Sequence, residues 1–161
     1  DFMSWQAVHT LAMNADTFTK NYYLHHDIDA APGSPKARFR LISWDADATW
    51  GNSWDGAVLA PDPASWHGTD AFSPRLFSVP EYRSAHLQSY LEALSGDLAA
   101  GVISLRVSAI ESLIAQAAQA DLSHWERESG FSEEMERLKD AVNTRVETMK
   151  QAIIGELEAP R

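Results

Sequence analysis

Apolar and polar positions change their rhythm near Pro80. Ahead of it, Val8, Leu11, Ala12 and Ala15 recur at three-and-four spacing behind Ser4, which predicts a helix of about three turns, capped by Ser4 and ended by the polar run from Asn14 to Thr17. Asn21 to Asp27 and Ala37 to Trp44 are short, aromatic and β-branched, and Ile28 to Lys36 between them carries a Pro32-Gly33-Ser34-Pro35 turn signal. These segments predict a β-hairpin with a long loop. From Ala46 to Pro74 no period is sustained, and a stretch of that length without period inside a domain is usually functional or packed by its own aromatics. Behind Pro80 there is no proline until Pro160, and three amphipathic helices are predicted. The first carries Leu87, Tyr90, Leu91 and Leu94 and stops at Gly96. The second carries Ile103, Val107, Ile110, Ile114 and Ala117. The third opens after Ser132 and carries Met135, Leu138, Val142, Val146, Met149 and Ile153. All three stripes are expected to bury as core.

Composition sharpens the division. All glutamates lie from Glu81 onward, six of the seven prolines lie at or before Pro80, and five of the six tryptophans lie at or before Trp66. A loop-rich front (1–80) bearing the chemistry and a helical scaffold (81–161) are therefore expected within one domain of 161 residues. Thirteen basic against 23 acidic residues give a net charge of -10, which repels phosphate backbones and argues against nucleic acid as a partner. The pattern contains no run of 18 apolar residues, so no membrane span is expected, and the basic-then-apolar start of a signal peptide is missing. With no cysteine, thiolate nucleophiles and disulfides are excluded.

Candidate chemistry gathers in the front half. Asp16 and Asn21 stand five apart at the helix-to-strand junction, where a carboxylate can take a proton from a hydroxyl and an amide oxygen can ligate a hard cation; both types also favour element boundaries for structural reasons alone. Asp45 and Asp47 follow the second strand and point the same way if that strand continues through them. Two like charges so placed imply full solvation or a divalent cation. The adjacent His25 and His26 face opposite sides of a strand, so one packed and one exposed ring are expected rather than a chelate. His67, His86 and His124 are expected to pack, and no Gly-x-Ser-x-Gly elbow supports a hydrolase. Trp44, Trp50, Trp54 and Trp66 are expected chiefly to fill the loop-rich core, with Trp44 and Trp50 flanking the aspartate pair.

Taken together, Asn-x-Asp-x-x-x-x-Asn-Tyr-Tyr-Leu-x-x-Asp (from Asn14), a loop, and Phe-x-Leu-Ile-x-Trp-Asp-x-Asp-x-Thr-Trp-Gly (to Gly51) resemble the CotH-type (spore coat protein H) atypical kinase family. Val79-Pro80-Glu81-Tyr82-Arg83 and the stretch from Phe131 to Lys139 extend the likeness over most of the chain. Ser43 stands where the family commonly has proline, and the hairpin loop is longer than usual for it. The resemblance implies an α+β, mostly α fold: the C-terminal lobe of a diverged protein-kinase-like fold, with a small hairpin and three long helices. It implies an ATP- and Mg2+-dependent kinase acting on Ser or Thr of a protein substrate. Asp16 would be the catalytic carboxylate, Asn21 and Asp45 the ligands of metal and nucleotide phosphates, and Asp47 a further metal ligand. The phosphate-covering loop and lysine of a kinase have no counterpart among the 15 residues before Asp16, so an N-terminal lobe of the same protein is expected as a partner. The resemblance favours a bacterial cell-surface, spore-coat or secreted location. The competing expectation is a catalytically silent kinase-like module serving surface or coat interaction. A carbohydrate-active enzyme using the Asp-x-Asp ranks last, because the helical second half lacks strand-helix alternation.

Overall fold

The structure is a computed structural model, and it describes residues 2–14, 16–53, 55–59, 66–125 and 130–159. Its elements run α1 (Phe2–Leu11), a 3-10 turn (Asp16–Phe18), β1 (Tyr22–His25), a second 3-10 turn (Pro35–Ala37), β2 (Arg40–Ser43), α2 (Ser73–Phe77), α3 (Pro80–Ser95), α4 (Ala100–His124) and α5 (Phe131–Glu158). The fold is α+β and mostly α, with one antiparallel hairpin and three long helices behind Pro80, as the periodicity predicts. Two compact units are distinguished, Asp1–Tyr90 and Leu91–Arg161, so the boundary falls inside α3.

In the first unit, α1 departs from its sequence pattern in two ways. The helix already runs at Phe2, so Ser4 lies inside it and caps nothing. Its buried face is Gln6, Ala7, Thr10 and Leu11, while Val8 is exposed. Polar Gln6 and Thr10 are tolerated there because each is hydrogen-bonded: Thr10 Oγ1 donates to the Gln6 carbonyl (2.8 Å), and Gln6 Nε2 donates to Asp70 Oδ2 (2.6 Å). The helix stops in a Schellman arrangement. Met13 adopts a left-handed φ of 58°, the Asn14 N–H reaches the His9 carbonyl (2.9 Å), and the Met13 N–H reaches the Thr10 carbonyl (3.2 Å). Ala15 lies outside the described residues.

The hairpin pairs Tyr22 with Ser43, Tyr23 with Ile42, Leu24 with Leu41 and His25 with Arg40. In the same unit, Trp66, Phe77, His86 and Tyr90 form a buried aromatic cluster with Phe77 and His86 rings 4.7 Å apart. Trp66 thus packs as expected, Trp44 is 47% exposed, and Trp54 lies outside the described residues. His25 and His26 are both exposed, with His26 against the Phe39 ring at 4.8 Å; two strands without a covering layer on that side bury neither. The short helix α2 was not legible in the aperiodic stretch. Asp70 creates it by accepting the N–H groups of Phe72 (2.8 Å) and Ser73 (2.9 Å).

In the second unit, α4 and α5 pack together, and Lys139 Nζ bridges Glu111 (2.8 Å) and Glu136 (2.7 Å). Val142, Val146, Met149 and Ile153 of α5 are fully buried, in line with its stripe. The stripe of α4 does not bury as expected: no residue of that helix is buried, and Leu105, Ile110, Leu113 and Ile114 are exposed. Apolar residues spread round α4, and its packing against α5 leaves much of that apolar surface exposed. By length and composition alone α4 is apolar enough to cross a membrane, although it contains no uninterrupted run of 18 apolar residues, because Arg106, Glu111 and Asp121 are widely spaced within it.

Candidate functional site

The end of α1 sets up the site. Once Met13 has turned the chain, Asn14 is buried and its Oδ1 accepts the Thr17 N–H (3.3 Å), which fixes the 3-10 turn that begins at Asp16. The Asp16 carbonyl gathers the N–H groups of Thr19 (3.1 Å), Lys20 (3.0 Å) and Asn21 (3.4 Å), so the backbone from Asp16 to Asn21 is a closed loop that leads directly into β1. The Asp16 carboxylate is half-exposed and pairs with Lys20 Nζ at 2.8 Å.

Across the hairpin, β2 ends at Ser43 and not beyond. The Trp44 N–H still reaches the Asn21 carbonyl (3.2 Å), but Asp45 takes a left-handed φ of 57°, which aspartate tolerates better than most residues. The strand therefore does not carry Asp45 and Asp47 outward by alternation, as the sequence suggests. The turn brings them together by another route, close enough for the Asp47 carboxylate to raise the pKa of Asp45. Asn21, buried at 4% exposure, donates from Nδ2 to the Asp45 carbonyl at the limit of hydrogen-bond length (3.5 Å). That bond leaves the amide oxygen of Asn21 as its remaining polar atom. Asp47 Oδ1 accepts the Ala48 N–H (2.9 Å), and Thr49 Oγ1 closes the turn on the Ala46 carbonyl (3.0 Å).

Charge follows geometry. Partial removal from water pushes the Asp45 carboxyl above its ordinary pKa, the negative charge of Asp47 pushes it further, and Asp16 adds to this while Lys20 opposes it. Lys20 is raised by its bond to Asp16, with Asp45 contributing. Asp16, Lys20, Asp45 and Asp47 thus feel one another, and Asn21 touches Asp45. Among the described residues, no three His, Asp or Glu side chains stand close enough to form a ready metal cage. The donor set is nonetheless all oxygen, it carries excess negative charge, and magnesium keeps most of its waters and phosphate ligands while taking one or two protein carboxylates. Asn21, Asp45 and Asp47 fit such an ion.

Sequence reasoning passed over two parts of the site. Ser43 Oγ sits 2.8 Å from Trp5 Nε1 and 2.7 Å from His9 Nε2, binding α1 to the end of β2. Serine in place of the family's proline was the available signal. Tyr23 and Trp44 stack at 6.1 Å on the opposite face, where with Ile42 they leave an apolar surface beside Asp45. Alternation along β1 and β2 could have found that surface, since paired Tyr23 and Ile42 share a face.

The family described as CotH kinase protein matches residues 1–149. A stretch of 96 residues, 58% of this chain, is 28% identical to the inner spore coat protein H of Bacillus subtilis (strain 168). It covers 25% of that relative, so the chain spans about a quarter of the length of the curated protein it matches.

Proposed function

The chain belongs to the CotH kinase protein family, and from that premise we propose that it carries the phosphate-handling half of an ATP- and Mg2+-dependent protein kinase that modifies Ser or Thr of partner proteins. One observation carries the reading: Asn21 from one limb of the hairpin meets Asp45 from the other, at a left-handed turn that also delivers Asp47. Under this proposal Asn21, Asp45 and Asp47 hold the magnesium ion, which supplies neutralisation of phosphate charge. Asp16 takes the proton of the acceptor hydroxyl as its oxygen bonds to phosphorus and the nucleoside diphosphate leaves. Lys20 Nζ, 2.8 Å from Asp16 Oδ2, orients that carboxylate. Tyr23, Ile42 and Trp44 offer an apolar floor beside the acidic turn, suited to the base of the nucleotide. The covering loop and the lysine for the inner phosphates are proposed to come from sequence outside these 161 residues.

A second reading is favoured by the Lys20–Asp16 ion pair and by the lack of a ready metal cage among the described residues. In it the same kinase-like lobe is a silent interaction module of a coat or surface layer, a role in keeping with the spore-coat name of the relative. Radiolabelled phosphate transfer from ATP to a Ser/Thr-rich protein separates the two, using the full-length protein and its Asp16→Asn and Asp45→Asn variants. Transfer that both substitutions abolish supports the kinase. A wild type that binds nucleotide without transferring phosphate moves the conclusion to the module.

A further inference from the structure

A cleft of about 340 Å³ is lined by Trp5 of α1, Pro35 and Arg38 of the hairpin loop, and Arg40 and Leu41 of β2. Its walls are apolar and its cations unusual for this chain. Arg38 and Arg40 are exposed, and neither they nor Lys36 pairs with a carboxylate among the described residues, although acidic residues outnumber basic ones 23 to 13. Asp27 and Asp29, in the same long loop, make a turn with each other (Asp29 N–H to Asp27 Oδ1, 3.1 Å) and leave the arginines alone. Lys36 lies in the second 3-10 turn, and Arg38 directly behind that turn is extended (φ -85°, ψ 144°), so Arg38 and Arg40 form a basic pair at the start of β2, where Arg40 pairs with His25. Residues two apart on extended backbone project to one side about 7 Å from each other. Two guanidinium forks at that spacing bracket a tetrahedral dianion, and the fork geometry favours phosphate over a simple point charge.

The apolar wall is fixed in advance. Trp5 has its indole N–H committed to Ser43 and its ring held among Phe2, His9, Phe18 and Tyr22. It therefore presents ring surface and no spare donor to an occupant. Pro35 and Leu41 complete a wall suited to an aliphatic or aromatic side chain. β2 has no strand on its second edge among the described residues, and extended polypeptide can lie along such an edge. We propose that this cleft binds a phosphorylated Ser or Thr within an extended polypeptide, the phosphate on Arg38 and Arg40 and a neighbouring apolar side chain against Trp5 and Pro35. Identifying that polypeptide as the product of this protein's own transfer rests on the kinase reading; the binding does not.

The test is fluorescence polarisation with a labelled phosphoserine peptide carrying a flanking leucine, beside its unphosphorylated twin, with inorganic phosphate and ATP as competitors and no turnover required. The expected result is at least about tenfold preference for the phosphopeptide, lost in Arg38→Ala/Arg40→Ala and only partly retained in Arg38→Lys/Arg40→Lys. Circular dichroism of these surface variants confirms that they fold. Equal binding of the two peptides, or affinity unmoved by the double alanine variant, overturns the proposal. So does displacement by ATP at concentrations where inorganic phosphate is without effect, which assigns the cleft to nucleotide. A protein that binds the phosphopeptide yet transfers no phosphate leaves this inference standing while the kinase reading falls.

Discussion

His9 Nε2 stands 2.7 Å from Ser43 Oγ, while Nδ1 of the same ring faces Asn14 Nδ2 at 3.4 Å. One imidazole therefore ties together the two limbs of the site, Ser43 lying two residues before Asp45 and Asn14 two residues before Asp16. Asn14 Nδ2 can only donate, so Nδ1 accepts and Nε2–H donates to Ser43. Partial burial lowers the His9 pKa, which keeps the ring neutral as this pattern requires.

Replacing His9 with Phe is expected to preserve ring packing against Trp5 and Phe18 and to delete both polar ties. Stability should fall by about 1 kcal/mol, and phosphate transfer by the full-length protein by roughly tenfold or more, because the limbs carrying Asp16 and Asp45 are no longer registered. His9→Gln, which still donates to Ser43, should recover part of the rate. Thermal melts and transfer assays on the pair check this; an unaltered rate in His9→Phe removes the positioning role.

Particular residues show how much of this was legible. Period-two and period-three-to-four patterns located the hairpin and the helices behind Pro80, and of these α3 and α5 bury their stripes while the hairpin strands and α4 bury no residue. The spacing of Asp16, Asn21, Asp45 and Asp47 pointed to one locality, and the structure joins Asn21 with Asp45 and Asp45 with Asp47. What stayed hidden was set by tertiary context. Met13 and Asp45 adopt left-handed backbone that no side-chain pattern announces, α2 exists because Asp70 caps it, and the bare face of α4 depends on how many neighbours it finds.

His86 predicts an acid-labile first unit. Burial among Trp66, Phe77 and Tyr90 lowers its pKa from 6.5 to about 4, a bond to the Trp66 backbone opposing this and His67 adding to it, and Nε2 has no hydrogen-bond partner. The folded state thus binds this proton less readily than the unfolded state. The stabilisation is complete above pH 6.5 and is lost as pH falls towards 4, by roughly 3 kcal/mol over the window. Urea titrations between those limits should show the slope, and His86→Leu should flatten it. A slope identical in the variant assigns the effect to another group.

Gly68 predicts a steric coupling to the Asp16 turn. A Cβ at this position would collide with the ring of Phe18, and the Gly68 N–H is held by Gln6 Oε1 at 2.6 Å, so the backbone cannot back away. Gly68→Ala should cost about 1–3 kcal/mol, and Phe18→Leu should return part of it in the double variant. Additive losses in a denaturation cycle would disprove the contact.

Lys20 supplies the most direct test of the acidic turn. Its ion pair with Asp16 is solvent-exposed, with 64% and 46% of the two side chains accessible, and exposed pairs contribute at most about 1 kcal/mol. Lys20→Met should therefore leave the melting temperature nearly unchanged. Its electrostatic consequence is larger, because Lys20 is the positive charge that lowers the pKa of Asp45 against the upward pressure of desolvation, Asp47 and Asp16. Without it Asp45 should titrate at still higher pH, and above that pH the uncompensated carboxylates should hold a divalent cation more tightly than wild type does. Below it the order should reverse, since protons then compete more effectively for Asp45. Carboxyl carbon-13 shifts of Asp45 and manganese binding followed by water-proton relaxation, both measured across the titration, decide the matter: a Lys20→Met protein whose manganese affinity matches wild type at every pH excludes Asp45 as a metal ligand.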